Sequence, residues 1–200
     1  VVEAFRVPAG SMIPTLEVGD HLFASKWRAG RSPGRGEMIV FQFPRDTTKD
    51  FIKRIVGIDG DRIEMVESRL HINDRPIPRC ALGTFRYADM PADETWQEQQ
   101  AEAYLERLGG FEYVTLHAAD SRPAPAGELS WYVRPGEVFT MGDNRDNSHD
   151  SRYWGGVPVG NIRARPFATW WSNGPHGVRW DRMFSDPRRP IVPPSLAPAL

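Results

Sequence analysis

Short apolar runs alternate with polar positions along most of this chain. Turn-forming residues separate them, a pattern that predicts a succession of short β-strands. Residues 1–7 read as the first strand, and residues 17–24, with a Gly19-Asp20 turn, as its return. Residues 37–44 form a buried strand stopped by Pro44, and residues 50–58 another, ended by Asp59-Gly60-Asp61. Segments 62–66 and 69–72 alternate around Glu67-Ser68 as a hairpin, after which Asn73-Asp74 turns the chain again. Over 92–108 the period changes. Ala101, Tyr104, Leu105 and Leu108 recur at helical spacing among Glu and Gln, and Gly109-Gly110 closes the stretch, which predicts one helix. Strands resume at 111–118, 130–133 and 138–141. The expected organisation is a strand-rich body over 1–79 and 136–185, interrupted by an insertion over 80–135 that mixes helix and strand. A proline-rich extended tail follows over 186–200.

Two hundred residues suit one such body with an insertion. Charge narrows the partners: 25 basic against 26 acidic residues argue against a nucleic-acid partner, which normally shows as a clustered basic excess. No apolar run approaches the ~20 residues of a membrane-spanning helix. The chain opens on Val1 and not on Met, so its natural N-terminus is expected to lie outside it. The single cysteine, Cys80, reads as a small buried or half-buried apolar residue. With neither an HExxH pattern nor a cysteine pair, no metal and no cofactor are expected.

The candidate chemistry centres on Ser11, in a Gly-Ser-Met turn bracketed by Pro8 and Pro14. A serine is a poor nucleophile without a base. Of five histidines only His149 sits in a polar cluster. Because His149 and Asp150 are adjacent on the chain they point apart, which makes a Ser11-His149-Asp150 set the weaker reading. Only three lysines occur. Lys26 and Lys49 lie among polar residues and read as solvated. Lys53 shares a strand face with Phe51 and Ile55, and Arg54 shares the other with Ile52, Val56 and Ile58. Both faces are apolar, so Lys53 is expected to be buried, and burial lowers a lysine pKa toward that of a usable base. A third cluster runs from Gly142 to Gly155, GDNRDNSHDSRYWG, flanked by Met141, Tyr153 and Trp154, which should anchor it on the core. Its carboxylates need cations if partly buried, and Arg54 and Arg152 are the obvious ones.

These stretches together resemble the catalytic domain of bacterial type I signal peptidases, a family of membrane-anchored serine–lysine proteases. The matching segments are VPAGSMIPTL, VGDHLFA, GEMIVFQFP, KRIVGIDGD and MGDNRDNSHDSRYWG, in the family's order, with RARPFATWWS and GVRWDRMF at the end. The resemblance implies a mostly antiparallel β fold, a coiled-sheet protease core with an inserted α+β cap. It makes Ser11 the nucleophile and Lys53 its general base. It gives Ser148 a hydrogen bond to the lysine amine, and pairs Asp143 with Arg54 and Asp150 with Arg152. The implied substrates are secretory preproteins, bound extended, with small side chains one and three residues before the cut. The implied location is the outer face of the bacterial cytoplasmic membrane, against the lipid surface, with the anchor outside this chain. One position departs from the Gram-negative pattern: Ala9 stands where a serine hydroxyl would help bind the oxyanion, leaving the backbone N–H of Ser11 for that task. Trp170, Trp171, Trp180 and Phe184 are candidates for contact with lipid. Two alternatives share some of these features: a self-cleaving repressor-type serine–lysine protease, and a weakly catalytic relative that binds exported peptides.

Overall fold

The computed structural model describes residues 1–27, 31–91, 95–119 and 130–189. Fifteen strands are formed among them. The first seven are β1 (Val2–Arg6), β2 (Asp20–Lys26), β3 (Met38–Phe43), β4 (Asp46–Gly57), β5 (Arg62–Val66), β6 (Arg69–Ile72) and β7 (Arg75–Pro76). Then come β8 (Arg79–Asp89), β9 (Gln97–Leu108), β10 (Phe111–Ala118), β11 (Ser130–Tyr132) and β12 (Glu137–Met141). The last are β13 (Val157–Pro158), β14 (Ile162–Gly174) and β15 (Gly177–Val178). The mostly antiparallel β architecture is as expected.

The main sheet has the order β1-β2-β14-β3-β4-β12-β13, with β15 beside β14. A second sheet, β11-β5-β6-β7, draws strands from both sides of the 79/80 boundary, and a third is β10-β9-β8. In the second sheet, Glu67-Ser68 and Asn73-Asp74 take positive φ at their turns, as the hairpin reading required. The interior of the main sheet holds the chemistry. In β4, Lys53 lies opposite Ile39 of β3, while Arg54 faces Met38 of β3 and Met141 of β12. One face of the sheet packs Phe41, Ile55 and Trp154 together, and Val56 joins a separate core with Ile63, Leu70 and Phe139. A strand covered on both faces is what buries two consecutive cations.

The helix expected over 92–108 is not formed. Residues 92–94 lie outside the described residues, and Gln97–Leu108 is a strand, paired with β8 on one side and β10 on the other. Ala101 and Ala103 face a core with Ile13 and Leu116, whereas Glu106 and Leu108 are buried further along the same strand. The strand therefore crosses between two cores, and the change of buried face puts apolar residues at helix-like intervals. Ala, Glu, Gln and Leu add helical propensity, and pairing on both edges overrides it. The described part of the insertion is thus β, and Gly109-Gly110 is a hairpin turn. Cys80 also differs from expectation: it lies on β8 and is exposed. The tail expected over 186–200 lies outside the described residues beyond residue 189.

The last turn, Trp180–Arg182, is tied beneath the serine segment. Arg182 donates to Asp20 Oδ2 at 2.6 Å and to the carbonyl of Thr15 at 3.1 Å. Asp20 is fully buried and also accepts from the Ser172 hydroxyl at 2.6 Å.

Candidate active site

Ser11 occupies a 3-10 turn, Gly10–Met12, entered from an extended Ala9. The turn is held by neighbours distant in sequence. Asn144 donates its backbone N–H to the Ser11 carbonyl at 3.1 Å and its side-chain amide to the Gly10 carbonyl at 3.2 Å. Two glycines are needed by close approach. A Cβ on Gly10 would overlap the Asp89 carboxylate, and one on Gly142 would overlap the Ser148 hydroxyl and the Ser11 carbonyl.

Lys53 reaches the turn from β4 and donates from Nζ to Ser11 Oγ at 2.6 Å. Only 4% of Lys53 is exposed. Desolvation pulls its amine down to a pKa of about 8, with Arg152 adding to the fall, while the Asp150 and Asp143 carboxylates oppose it. Near that pH a substantial fraction is the neutral base, and the hydrogen bond can then run from the serine hydroxyl to the amine. The amine also lies 5.6 Å from the centre of the Phe51 ring on the same strand face.

Arg54, on the opposite face, donates to Asp143 through Nε at 2.8 Å and Nη2 at 2.6 Å, a bidentate pair buried to 2% and 1% exposure. Its Nη1 donates to the Gly36 carbonyl, and its guanidinium lies 3.9 Å from the Tyr113 ring centre. Thr15 completes the cage by donating its hydroxyl to Asp143 Oδ2 at 2.5 Å. Arg152 likewise makes two bonds to Asp150, at 2.8 and 2.9 Å, and Asp150 also accepts from the Gly142 N–H at 3.0 Å. These interactions hold the Asp150 carboxyl below the ordinary carboxylate range against the opposing effect of burial.

Both ion pairs expected from the sequence are therefore assembled. The expected bond from Ser148 to the lysine is not among those formed. The Ser148 hydroxyl donates instead to Asp150 Oδ2 at 2.7 Å, the oxygen that also accepts from Arg152 Nη2 and the Gly142 N–H. A Ser11-His149-Asp150 triad is not assembled. The carboxylate of Asp150 is taken by Gly142, Ser148 and Arg152, while His149 packs on Tyr153 and Trp154 with ring centres 5.1 and 4.8 Å apart. Of the expected anchors of this loop, Met141 and Trp154 are buried, but Tyr153 is 63% exposed.

Three further contacts come from the insertion, where local sequence carries no signal. Glu106 of β9, fully buried, accepts from both Nη atoms of Arg145, at 3.2 and 2.5 Å, while Arg145 Nε donates to the Gly142 carbonyl. Tyr87 of β8 accepts from the Asn144 amide at 3.2 Å. Asp89, at the end of β8, accepts from the Asn147 amide at 2.5 Å. Glu106 lies on a strand where a helix was expected, and its partner Arg145 is 39 residues away in sequence.

Ser11 and Lys53 lie at the junction of two depressions. One is apolar and small, about 170 Å³, walled by Val7, Met12, Val40 and Ile52. The other is a larger cleft of about 810 Å³ bounded by Arg6, Asp89, Met90, Asn147, His149 and Tyr153.

A family model described as signal peptidase, peptidase S26, matches residues 1–171. The chain belongs to this family. Signal peptidase I of Pseudomonas fluorescens is 36% identical over 197 residues, covering 86% of this chain and 66% of that relative. Signal peptidase I of Pseudomonas aeruginosa is 34% identical over 196 residues with the same coverage. A solved structure of a signal peptidase I from Enterococcus faecalis V583 aligns at 25% identity and a TM-score of 0.39, over 68% of this chain and 97% of that one. The chain thus spans 66% of the length of these Pseudomonas members of the family.

Proposed function

We propose that this chain is the catalytic part of a membrane-associated serine endopeptidase that removes signal peptides from secretory preproteins. The observation that carries the reading is the 2.6 Å contact between a buried lysine amine and the hydroxyl of a serine at the head of a cleft. Neutral Lys53 takes the proton of Ser11 Oγ as the oxygen attacks the scissile carbonyl. The resulting ammonium returns a proton to the departing amine, leaving an acyl-enzyme ester on Ser11. Lys53 then deprotonates a water that hydrolyses the ester. The four carboxylate and guanidinium groups Asp143, Arg54, Asp150 and Arg152 support the site by holding the serine turn and the 142–155 loop in register. The small apolar depression suits the short side chains before the cut, and its volume excludes large ones. The core over 1–79 and 136–185 carries the dyad, and the insertion over 80–135 braces the loop. Incubation of the protein with a secretory preprotein in detergent is expected to release one mature product. Absence of any cut, with the protein folded, would sink the reading in favour of a peptide-binding relative.

Association with lipid has its own support. Trp180 and Phe184 are 73% and 79% exposed, and Phe23 stacks on half-buried Trp170 with ring centres 5.6 Å apart. Exposed aromatics of this kind suit a bilayer interface. Placing the chain on the outer face of the cytoplasmic membrane follows from its proposed substrates. The protein is expected to co-sediment with phospholipid vesicles, and Trp180→Ala/Phe184→Ala to do so several-fold less. Equal sedimentation of the two would remove these residues from the contact.

A further inference from the structure

The attack proposed for Ser11 places negative charge on the scissile carbonyl oxygen, beside the Gly10–Ser11 peptide. One backbone N–H, that of Ser11, is available from the turn, and the neighbouring side chain at Ala9 is a methyl, which donates nothing. Stabilisation of such an oxyanion normally draws on at least two donors aimed at it. A side chain suited to the task lies beside the turn. Asp89 lies against Gly10 so closely that no Cβ fits there, and Asn147 donates to the same carboxylate at 2.5 Å. Asn147 is exposed, and it lines the cleft together with Ala9, Gly10 and Ser11. Asp89, which is only 7% exposed, also accepts from the Met90 backbone N–H at 2.8 Å.

The chemistry of the pair determines its orientation. An ionised carboxylate only accepts, so the end of the Asn147 side chain that meets Asp89 is its NH₂ group. One amide hydrogen is used on Asp89, and the second is left for another acceptor. Asn144 bonds to the Gly10 and Ser11 carbonyls dock the turn that carries Asn147 onto the Ser11 turn, and Asn147 lines the same cleft as Ser11. We propose that Asn147, oriented by Asp89 of the inserted strand, is the second oxyanion donor and so a catalytic residue. This inference rests on the Ser11/Lys53 reading. It also assigns the insertion a part in the reaction, because Asp89 is the positioning residue for the donor.

The test is steady-state kinetics on a secretory preprotein with the parent, Asn147→Ala, the near-isosteric Asn147→Asp, Ala9→Ser and the double variant Ala9→Ser/Asn147→Ala. Removing the donor is expected to lower kcat by about 10²–10³ with KM within roughly threefold, the pattern of an interaction made only in the transition state. Asn147→Asp is expected to fall at least as far. A hydroxyl at position 9 is expected to restore roughly tenfold or more in the Asn147→Ala background and to change the parent far less, since each supplies the same missing bond. A purely structural role for Asn147 would show no such rescue. The proposal is overturned if Asn147→Ala and Asn147→Asp keep kcat within roughly threefold of the parent. It is equally overturned if Ala9→Ser multiplies the rates of parent and Asn147→Ala by the same factor. A parent that cleaves nothing overturns both readings; a cleaving parent with an active Asn147→Ala overturns this one alone.

Discussion

Lys53→Met is expected to abolish preprotein cleavage, a loss of about 10⁴-fold or more, while making the fold more stable at neutral pH. The two effects have one cause. In the unfolded chain the amine titrates near the ordinary 10.5, and in the folded protein near about 8. Below about pH 8 both states are protonated, and folding then buries a charge that no carboxylate touches directly. Between about 8 and 10.5 the unfolded chain binds the extra proton, so the parent gains stability as pH rises across that window. Methionine fills a similar volume without the charge and removes both the penalty and its pH dependence. The gain at pH 7 is on the order of 1–3 kcal/mol. Ser11→Ala is expected to match Lys53→Met in activity, and the double variant to lose little more, because the two groups act as a unit. Retained cleavage in either single variant would remove that residue from the chemistry.

The second large effect concerns the pair on the other face of the same strand. Asp143→Ala strands the Arg54 guanidinium in a site of 2% exposure, with Thr15 deprived of its acceptor. Breaking a buried pair of this kind costs about 3–5 kcal/mol, roughly 6–20 °C in Tm for a chain of this size. Replacing both partners, as in Arg54→Met/Asp143→Leu, is expected to recover most of that loss, since no unpaired charge remains. Activity is expected to fall in both variants. Asp143 accepts from both the Thr15 hydroxyl and the guanidinium, and Asn144, the next residue, holds the Ser11 carbonyl. Thermal unfolding separates the outcomes: a single variant within 1 kcal/mol of the parent would mean that the pair is not energetically buried.

Much of the site is legible in the sequence because its logic is local. Alternation along 50–58 places Lys53 and Arg54 on opposite faces, and the apolar residues of both faces require that both be covered. The cluster of opposite charges in 142–155 requires internal pairing once its flanks are buried. What is not legible depends on contacts across long separations. Glu106 pairs with Arg145 across 39 residues, and Asp89 with Asn147 across 58. Neither carboxylate differs locally from any solvated acidic residue. The β9 strand conceals itself in another way, since its buried side switches between two cores and leaves a helix-like spacing. The partner of Ser148 is a neighbour two residues on, the Asp150 carboxylate that Arg152 and the Gly142 N–H also hold.

The central claim, that neutral Lys53 is the base for Ser11, is tested most directly by the pH dependence of kcat/KM for preprotein cleavage by the parent. The account predicts a rate that rises with pH through an apparent pKa of about 8, the value to which burial pulls the lysine. An acid limb near the histidine value of about 6.5, or a rate independent of pH between about 6.5 and 9, would contradict it.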